Sequence, residues 1–284
     1  IARNDGVDRT VVRNATNKRG SIGIRERHDE RKNEVYSNPD IILDKSHLNV
    51  HFKKCDTTYL QAFDRLCEDD VISIRGLKKD ANIIDEMIFD VNTAYFENSG
   101  GYEYAKMFYA HAYEMAIKET GGEQYILSAV MHADERNKSL SEELGKDVFH
   151  YHLHVVYIPV VEKRIFWSKR CKDKALIGTV KEVVTQVSHS KKWSSEKFKD
   201  DFGKTHLISS YSKLQDRFFE HMSSVGYQNI ERGEKGSGDE NLHHTEFKAM
   251  KEKERLEMLQ NKAELEQKSL DEKQVQTEQL GDKI

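Results

Sequence analysis

The sequence predicts an α+β fold, with antiparallel strands, flanking helices and a C-terminal helical extension. Three observations carry that prediction. The first is a pair of strand-length apolar runs, QYILSAVMH (residues 124–132) and DVFHYHLHVVYIPV (residues 147–160), close enough in the chain to pair with each other. The second is the stretch from Tyr102 to Thr120, where Tyr104, Phe108, His111 and Met115 recur at helical spacing and Gly121 and Gly122 supply the stop. The third is the segment from Thr245 onward, rich in Glu, Lys, Gln and Leu and free of Gly and Pro up to Leu280, which reads as a solvated helix or the start of a coiled coil.

The remaining elements follow in order. Residues 1–20 are polar and without apolar period, so they are expected to form a flexible arm, ending in a Gly-containing stretch that could lie over a site. NIIDEMIFDVN (residues 82–92) is expected as a strand. THLISSYSKLQDRFFEHMSSVGY (residues 205–227) reads as a second long helix closed near Gly226, and GEKGSGDEN (residues 233–241) as a loop.

The chain of 284 residues has room for one large domain and an appendage. It contains no apolar run of membrane-spanning length, and its start, IARNDGVDRT, has no apolar signal region, so a cytoplasmic location in a bacterium is the expectation. Three widely spaced cysteines, with no Cys-x-x-Cys, argue against a disulfide framework and against a thiolate zinc site. A net charge of -4 does not advertise a nucleic-acid binder, yet KRIFWSKRCKDK (residues 163–174) combines cations with stacking rings. Lys163, Arg164, Trp167, Lys169 and Arg170 are therefore the candidates for a DNA track, against the plainer reading of a solvated Lys-rich loop.

The chemistry concentrates in histidines. Alternation along a strand puts His150, His152 and His154 on one face, and an antiparallel partner can set His132 opposite His152 or His154. Three imidazoles from two adjacent strands leave coordination positions open, the pattern of a catalytic metal site. A lone histidine in a strand is more often a packed residue. Histidine is also a poor sheet former, so a row of them calls for a reason.

A second cluster lies upstream, in GIRERHDERKNEVYSNPDI (residues 23–41) and KSHLN (residues 45–49). His28-Asp29-Glu30-Arg31, Tyr36-Ser37-Asn38, Asp40-Ile41, Ser46-His47-Leu48-Asn49, His132-x-Asp134-Glu135 and His152-Leu153-His154 together resemble the ordered motifs of the Mob/Pre plasmid mobilization and recombination proteins, relaxases of the HUH superfamily. The resemblance runs from about residue 20 to Lys248. It implies a central antiparallel sheet in a catalytic domain at residues 1–247, with the helical extension at 248–284 free to dimerise or to meet other transfer proteins. It also implies an enzyme that nicks and rejoins single-stranded or hairpin DNA at a plasmid or mobile-element origin of transfer. His132, His152 and His154 map to the metal ligands, with Mn²⁺ or Mg²⁺ expected and Zn²⁺ compatible with imidazole. His28 maps to the nucleophile, forming a 5′-phosphohistidine, with Glu135 assisting it and Arg31 beside the scissile phosphate. His152 and His154 are preferred over His150 and His152 because Pro159 follows His154 by five residues, as in the family. Asn49 is a further DNA-contact candidate, although a structural role suits it better.

Elementary acid–base chemistry favours a histidine nucleophile. With a reference pKa near 6.5, imidazole is about three-quarters neutral at pH 7, whereas a tyrosine near 10 is only about 0.1% ionised and needs roughly 4 kcal/mol of help. Tyr36 is the alternative nucleophile, and His47 and His51 are possible ligands or phosphate contacts. Two departures from the family pattern stand out. Asp29 replaces the usual Asn beside the nucleophile and would raise the imidazole pKa if it faced His28. RNKSLSEELGKDVFHY (residues 136–151) also inserts about a dozen residues before the ligand pair. Rival classes are a zinc hydrolase using Glu135 as general base, and a DNA-binding module that holds a structural metal without cutting.

Overall fold

The computed structural model describes residues 7–199 and 202–233, together with Gln267. In chain order the elements are β1 (Arg9–Lys18), α1 (Ile22–Asp29), β2 (Val50–Lys53), α2 (Tyr59–Glu68), β3 (Asn82–Val91), α3 (Thr93–Ser99), α4 (Gly101–Thr120), β4 (Ile126–Arg136), α5 (Lys138–Leu144), β5 (Phe149–Tyr157), β6 (Val160–Phe166), β7 (Val180–Val187), α6 (His189–Lys192), β8 (Glu196–Lys199), β9 (Thr205–Ile208), α7 (Ser210–Ser224) and β10 (Glu231–Arg232). Six strands form the main sheet in the order β10-β1-β3-β5-β4-β2, antiparallel throughout except where the short β10 runs parallel to β1. β6–β7 and β8–β9 are separate two-stranded ribbons.

Alternation along the central strands sorts their side chains onto two faces. On one face Met87, Phe89, Met131, Leu153 and Val155 are buried in a cluster with Ala105, Phe108, Ala112 and Ala116 of α4 and Leu214, Phe218 and Met222 of α7. Burying a phenylalanine such as Phe218 is worth about 1.5–3 kcal/mol, and its ring meets Phe89 edge-on at 4.9 Å. The opposite face is divided along its length. Ile84, Val156 and Ile158 pack with Ile22 of α1 and Tyr59 and Phe63 of α2, while further along the strands the same face carries polar side chains. α2 opens with a full capping box, Thr58 with Gln61, and α4 closes at Gly121 in the left-handed conformation, φ 89°.

Two expectations are corrected here. The expected arm at residues 1–20 instead supplies Arg9–Lys18 to the sheet, paired along its length with β3. Its polar side chains are tolerated because they find partners: Asn14 donates to Asp85 at 3.2 Å and accepts from the Tyr157 hydroxyl at 2.7 Å. The helix expected from Thr205 begins only at Ser210, since Thr205–Ile208 pairs with β8 and the first buried apolar residue of the helix is Leu214. The described part of the first compact unit runs to Gly233, and the expected boundary near residue 247 and the expected helical extension at 248–284 lie outside the described residues apart from Gln267. The insertion before the ligand pair forms α5, capped by Asn137, which accepts from the Leu140 amide at 3.1 Å, and ended by Gly145 at φ 65°.

Candidate active site

β5 lies between β3 and β4, so its side chains are enclosed from both sides. The register sets His152 opposite His132 of β4 and Asp90 of β3, and His154 opposite Val130 and Ile88. His132, His152 and His154 are all buried, with ring centroids 4.5–5.2 Å apart and one nitrogen of each within 4.8 Å of the others. His150 is outside this trio. Its Nδ1 meets the Thr93 hydroxyl at 3.0 Å and its Nε2 lies 3.5 Å from Asp90. Burial disfavours the His150 cation, but Asp90 overcomes that and raises its pKa.

The hydrogen bonds define what the trio offers. His132 Nε2 lies 2.8 Å from the Asp29 carbonyl, which can only accept, so the proton belongs there and Nδ1 keeps its lone pair. His154 Nδ1 bonds the Glu86 carboxylate, and its buried Nε2 has no partner among the described residues. His152 Nε2 faces His132 Nδ1 at 3.3 Å and Glu135 at 3.7 Å. Burial, reinforced by the neighbouring imidazoles and Arg31, holds His132 and His154 well below the ordinary histidine pKa, and burial puts His152 at about 4. Neutral imidazoles with converging lone pairs, the other nitrogens of His132 and His154 fixed by a backbone carbonyl and a carboxylate while His152 Nδ1 is buried without a partner among the described residues, are the form in which histidine binds a divalent cation. The residues present therefore fit a metal.

α1 lies across this face. His28, near its end, puts its ring 6.3 Å from that of His132 and 6.2 Å from that of His154. The ring is half-buried, and neither nitrogen has a hydrogen-bond partner among the described residues. Burial, then the charges of Arg31 and Arg25, lower its pKa, while Glu135 and Glu86 oppose them. Asp29 points away from this balance. It is buried next to Glu86, and burial together with that second carboxylate raises its pKa well above the usual range. Arg25 links the two, 3.0 Å from Glu86 and 3.9 Å from Asp29.

Arg31 turns inward. Its backbone has φ 50°, unusual for a residue with a Cβ, and this reversal sends the guanidinium beneath β4. There it grips Asp134 with two hydrogen bonds of 2.8 and 2.7 Å and also reaches Glu135 at 3.2 Å. Asp134 further accepts from Ser46 at 2.6 Å and Asn49 at 2.9 Å. Burial works against the Asp134 carboxylate, but the Arg31 guanidinium outweighs it and holds the pKa below the usual range. Glu135 follows a register shift in β4 and also accepts from Asn38 at 3.2 Å.

The other sequence candidates divide clearly. Asn49 spends both ends of its amide on β4, accepting from the Ala133 N–H at 2.7 Å as well as donating to Asp134, so it pins the strand. The Tyr36 ring packs against His28 at 5.8 Å, while its hydroxyl donates to the Arg27 carbonyl and accepts from the Asn33 amide. His47 is exposed and bonded to Asp44, and His51 pairs with Glu30 at 3.0 Å. Lys163, Arg164, Trp167, Lys169 and Arg170 are on or beyond the β6–β7 ribbon, apart from the trio, with Lys181 over the Trp167 ring at 4.9 Å. Sequence reading missed Glu86, Arg25, Asp90 and Asp134 as partners of the site. The available signal was the acidic residues within the apolar run IIDEMIFD, since a carboxylate on a buried strand needs a partner.

The fold is that of a relaxase domain. It matches the MobM relaxase domain, solved Mn-bound with plasmid pMV158 oriT DNA, with a TM-score of 0.57 and 23% identity over 85% of this chain and 98% of that one. A second structure of the same domain, also Mn-bound with oriT DNA, gives 0.56 and 24% over 85% and 99%. More particularly, residues 7–210 match the Mob_Pre plasmid recombination enzyme family, and the chain belongs to that family. A plasmid recombination enzyme of a Bacillus species is 25% identical over 235 residues, covering 82% of this chain and 44% of the relative. One from Streptococcus agalactiae is 31% identical over 133 residues, covering 44% and 25%. The chain thus spans less than half the length of these relatives. No helix among the described residues is long and apolar enough to cross a membrane.

Proposed function

We propose that this chain is a relaxase domain that nicks and reseals one DNA strand at an origin of transfer, with His28 as nucleophile. The observation that carries this reading is a half-buried imidazole with unbonded nitrogens, its pKa lowered, beside three converging neutral imidazoles. In the attack, the His28 lone pair forms a P–N bond as the P–O3′ bond breaks. The 3′ oxygen leaves with the electron pair and takes up a proton, and the 5′ phosphate remains on the ring. Glu135, whose charge favours a cationic His28, offsets the positive charge that develops there. Tyr36 holds the ring's edge. Arg31 acts through Asp134 and Glu135, joining α1 to β4, rather than as the phosphate clamp expected from its place in the motif. His132, His152 and His154 would hold a divalent cation, Mn²⁺ or Mg²⁺ by preference, which would supply Lewis-acid stabilisation of the charge that develops on the phosphate. Reversal by a new 3′ hydroxyl restores the diester and frees His28.

The MobM domain's oriT DNA and manganese support the choice of substrate and metal. The test is incubation with origin-bearing DNA and Mn²⁺. A covalent adduct that acid destroys is expected, absent in His28→Ala and retained in Tyr36→Phe, while His28→Ala still binds the DNA. An acid-stable adduct, or nicking that survives His28→Ala, overturns the assignment. Retained activity in His28→Ala without any adduct would instead point to a hydrolase.

A further inference from the structure

A second basic feature lies apart from the histidines. Where β7 ends and the segment before β3 passes it, Arg75, Lys78, Lys163 and Lys191 line a cavity of about 430 Å³, with Ser188 and Ser190 on its wall. No carboxylate lines it. Lys78 and Lys163 have no ion-pair partner among the described residues, and Lys191 has one hydrogen bond, to Gln186 at 3.2 Å. Arg75 has an exposed pairing with Glu182, 3.2 Å away, of the kind worth little in water.

The cavity is built rather than incidental. Gln186 is 93% buried, donating to the Arg75 carbonyl at 2.9 Å while it receives Lys191, so one amide fixes the cavity's two sides. Two backbone bonds tie the same segment to β7, from the Ser73 amide to Thr185 at 2.7 Å and from the Val187 amide to Ser73 at 2.9 Å. Four like charges held around one hollow repel one another unless an anion enters. In a chain of net charge -4 this concentration is not a reflection of overall composition.

We propose that this cavity binds backbone phosphates of duplex DNA, as an anchoring site separate from the nicking centre. The inference rests on the relaxase reading for its choice of nucleic acid. The wall chemistry narrows the ligand. Lysine, arginine and serine are the residues that position a phosphodiester backbone, and the lining has no aromatic ring of the kind on which single-stranded bases stack. At about 30 Å³ for each water in the liquid, the cavity holds roughly a dozen waters, more than a bare phosphate needs.

The test compares the full chain with the double variant Lys78→Gln/Lys191→Gln, measuring affinity for an origin hairpin and for a scrambled hairpin from 50 to 200 mM salt. Each lost phosphate contact lowers the salt slope by about 0.9, so loss of two contacts removes about 12-fold of the salt-dependent change over that range. The expected result is this drop, equal for both hairpins, with unchanged Mn²⁺ uptake showing that the trio remains intact. An unchanged slope overturns the proposal. So does an unchanged slope together with inorganic phosphate or a mononucleotide perturbing the Gln186 and Ser188 resonances, which would assign the cavity to a small free phosphate. Because nicking is scored separately through His28→Ala, anchoring without nicking would overturn the functional reading and leave this inference standing.

Discussion

Arg31→Ala separates a phosphate clamp from a structural pin. The Arg31 and Asp134 side chains are 5% and 0% exposed and share two short hydrogen bonds, so truncation leaves a carboxylate uncompensated inside the protein. Removing one partner of a buried pair costs about 3–5 kcal/mol. Ser46 and Asn49 still donate to Asp134, which puts the expectation at the lower end, near 3 kcal/mol. For a unit of this size each kcal/mol moves Tm by about 2–4 °C, so a fall of about 6–12 °C is expected in thermal denaturation followed by circular dichroism at pH 7, without DNA. The pH dependence has a fixed sign. Asp134 is held below its unfolded value of about 3.9, so the pair's contribution is complete above that pH and fades as pH falls toward the lower folded value. The gap between wild type and Arg31→Ala should therefore narrow below about pH 4. Arg31→Met combined with Asp134→Asn should recover much of the loss, because no charge is then stranded. A Tm change under about 2 °C, with weakened DNA binding, would refute the pin and return the guanidinium to the phosphate.

Three further outcomes are expected. Glu86→Ala, which frees His154 Nδ1, should weaken Mn²⁺ binding about 10–100-fold by isothermal titration calorimetry, whereas His150→Ala should leave it unchanged because His150 belongs to Thr93 and Asp90. Saturating wild type at 100 times the metal Kd should add about 2.7 kcal/mol of stability, or roughly 5–11 °C in Tm, an increase that His152→Ala should abolish. The acid limb of adduct formation should lie below pH 6.5, since burial and two arginines make His28 harder to protonate. A limb above that value, traced by single-turnover rates, would mean that Asp29 or Glu135 governs the ring.

The sequence by itself determined the strand hairpin, the α4 helix, the family and the identities of the four histidines that now lie together, because strand alternation and motif order are local properties. It could not determine where polar groups go once the strands have neighbours. Arg9–Lys18 looks like an arm until Asp85 and Tyr157 satisfy Asn14, and no local pattern announces that the positive φ of Arg31 turns its guanidinium onto Asp134. The choice between His150 and His154 shows the same division. Both occupy one face of one strand, and carboxylates on the neighbouring strand β3, each two residues out of register with its histidine, separate their surroundings: Asp90 lies 3.5 Å from His150, while Glu86 fixes one nitrogen of His154 and leaves the other without a partner among the described residues. Those partners come from residues 60 or more positions away, so only packing brings the charges that decide each imidazole's proton and orientation.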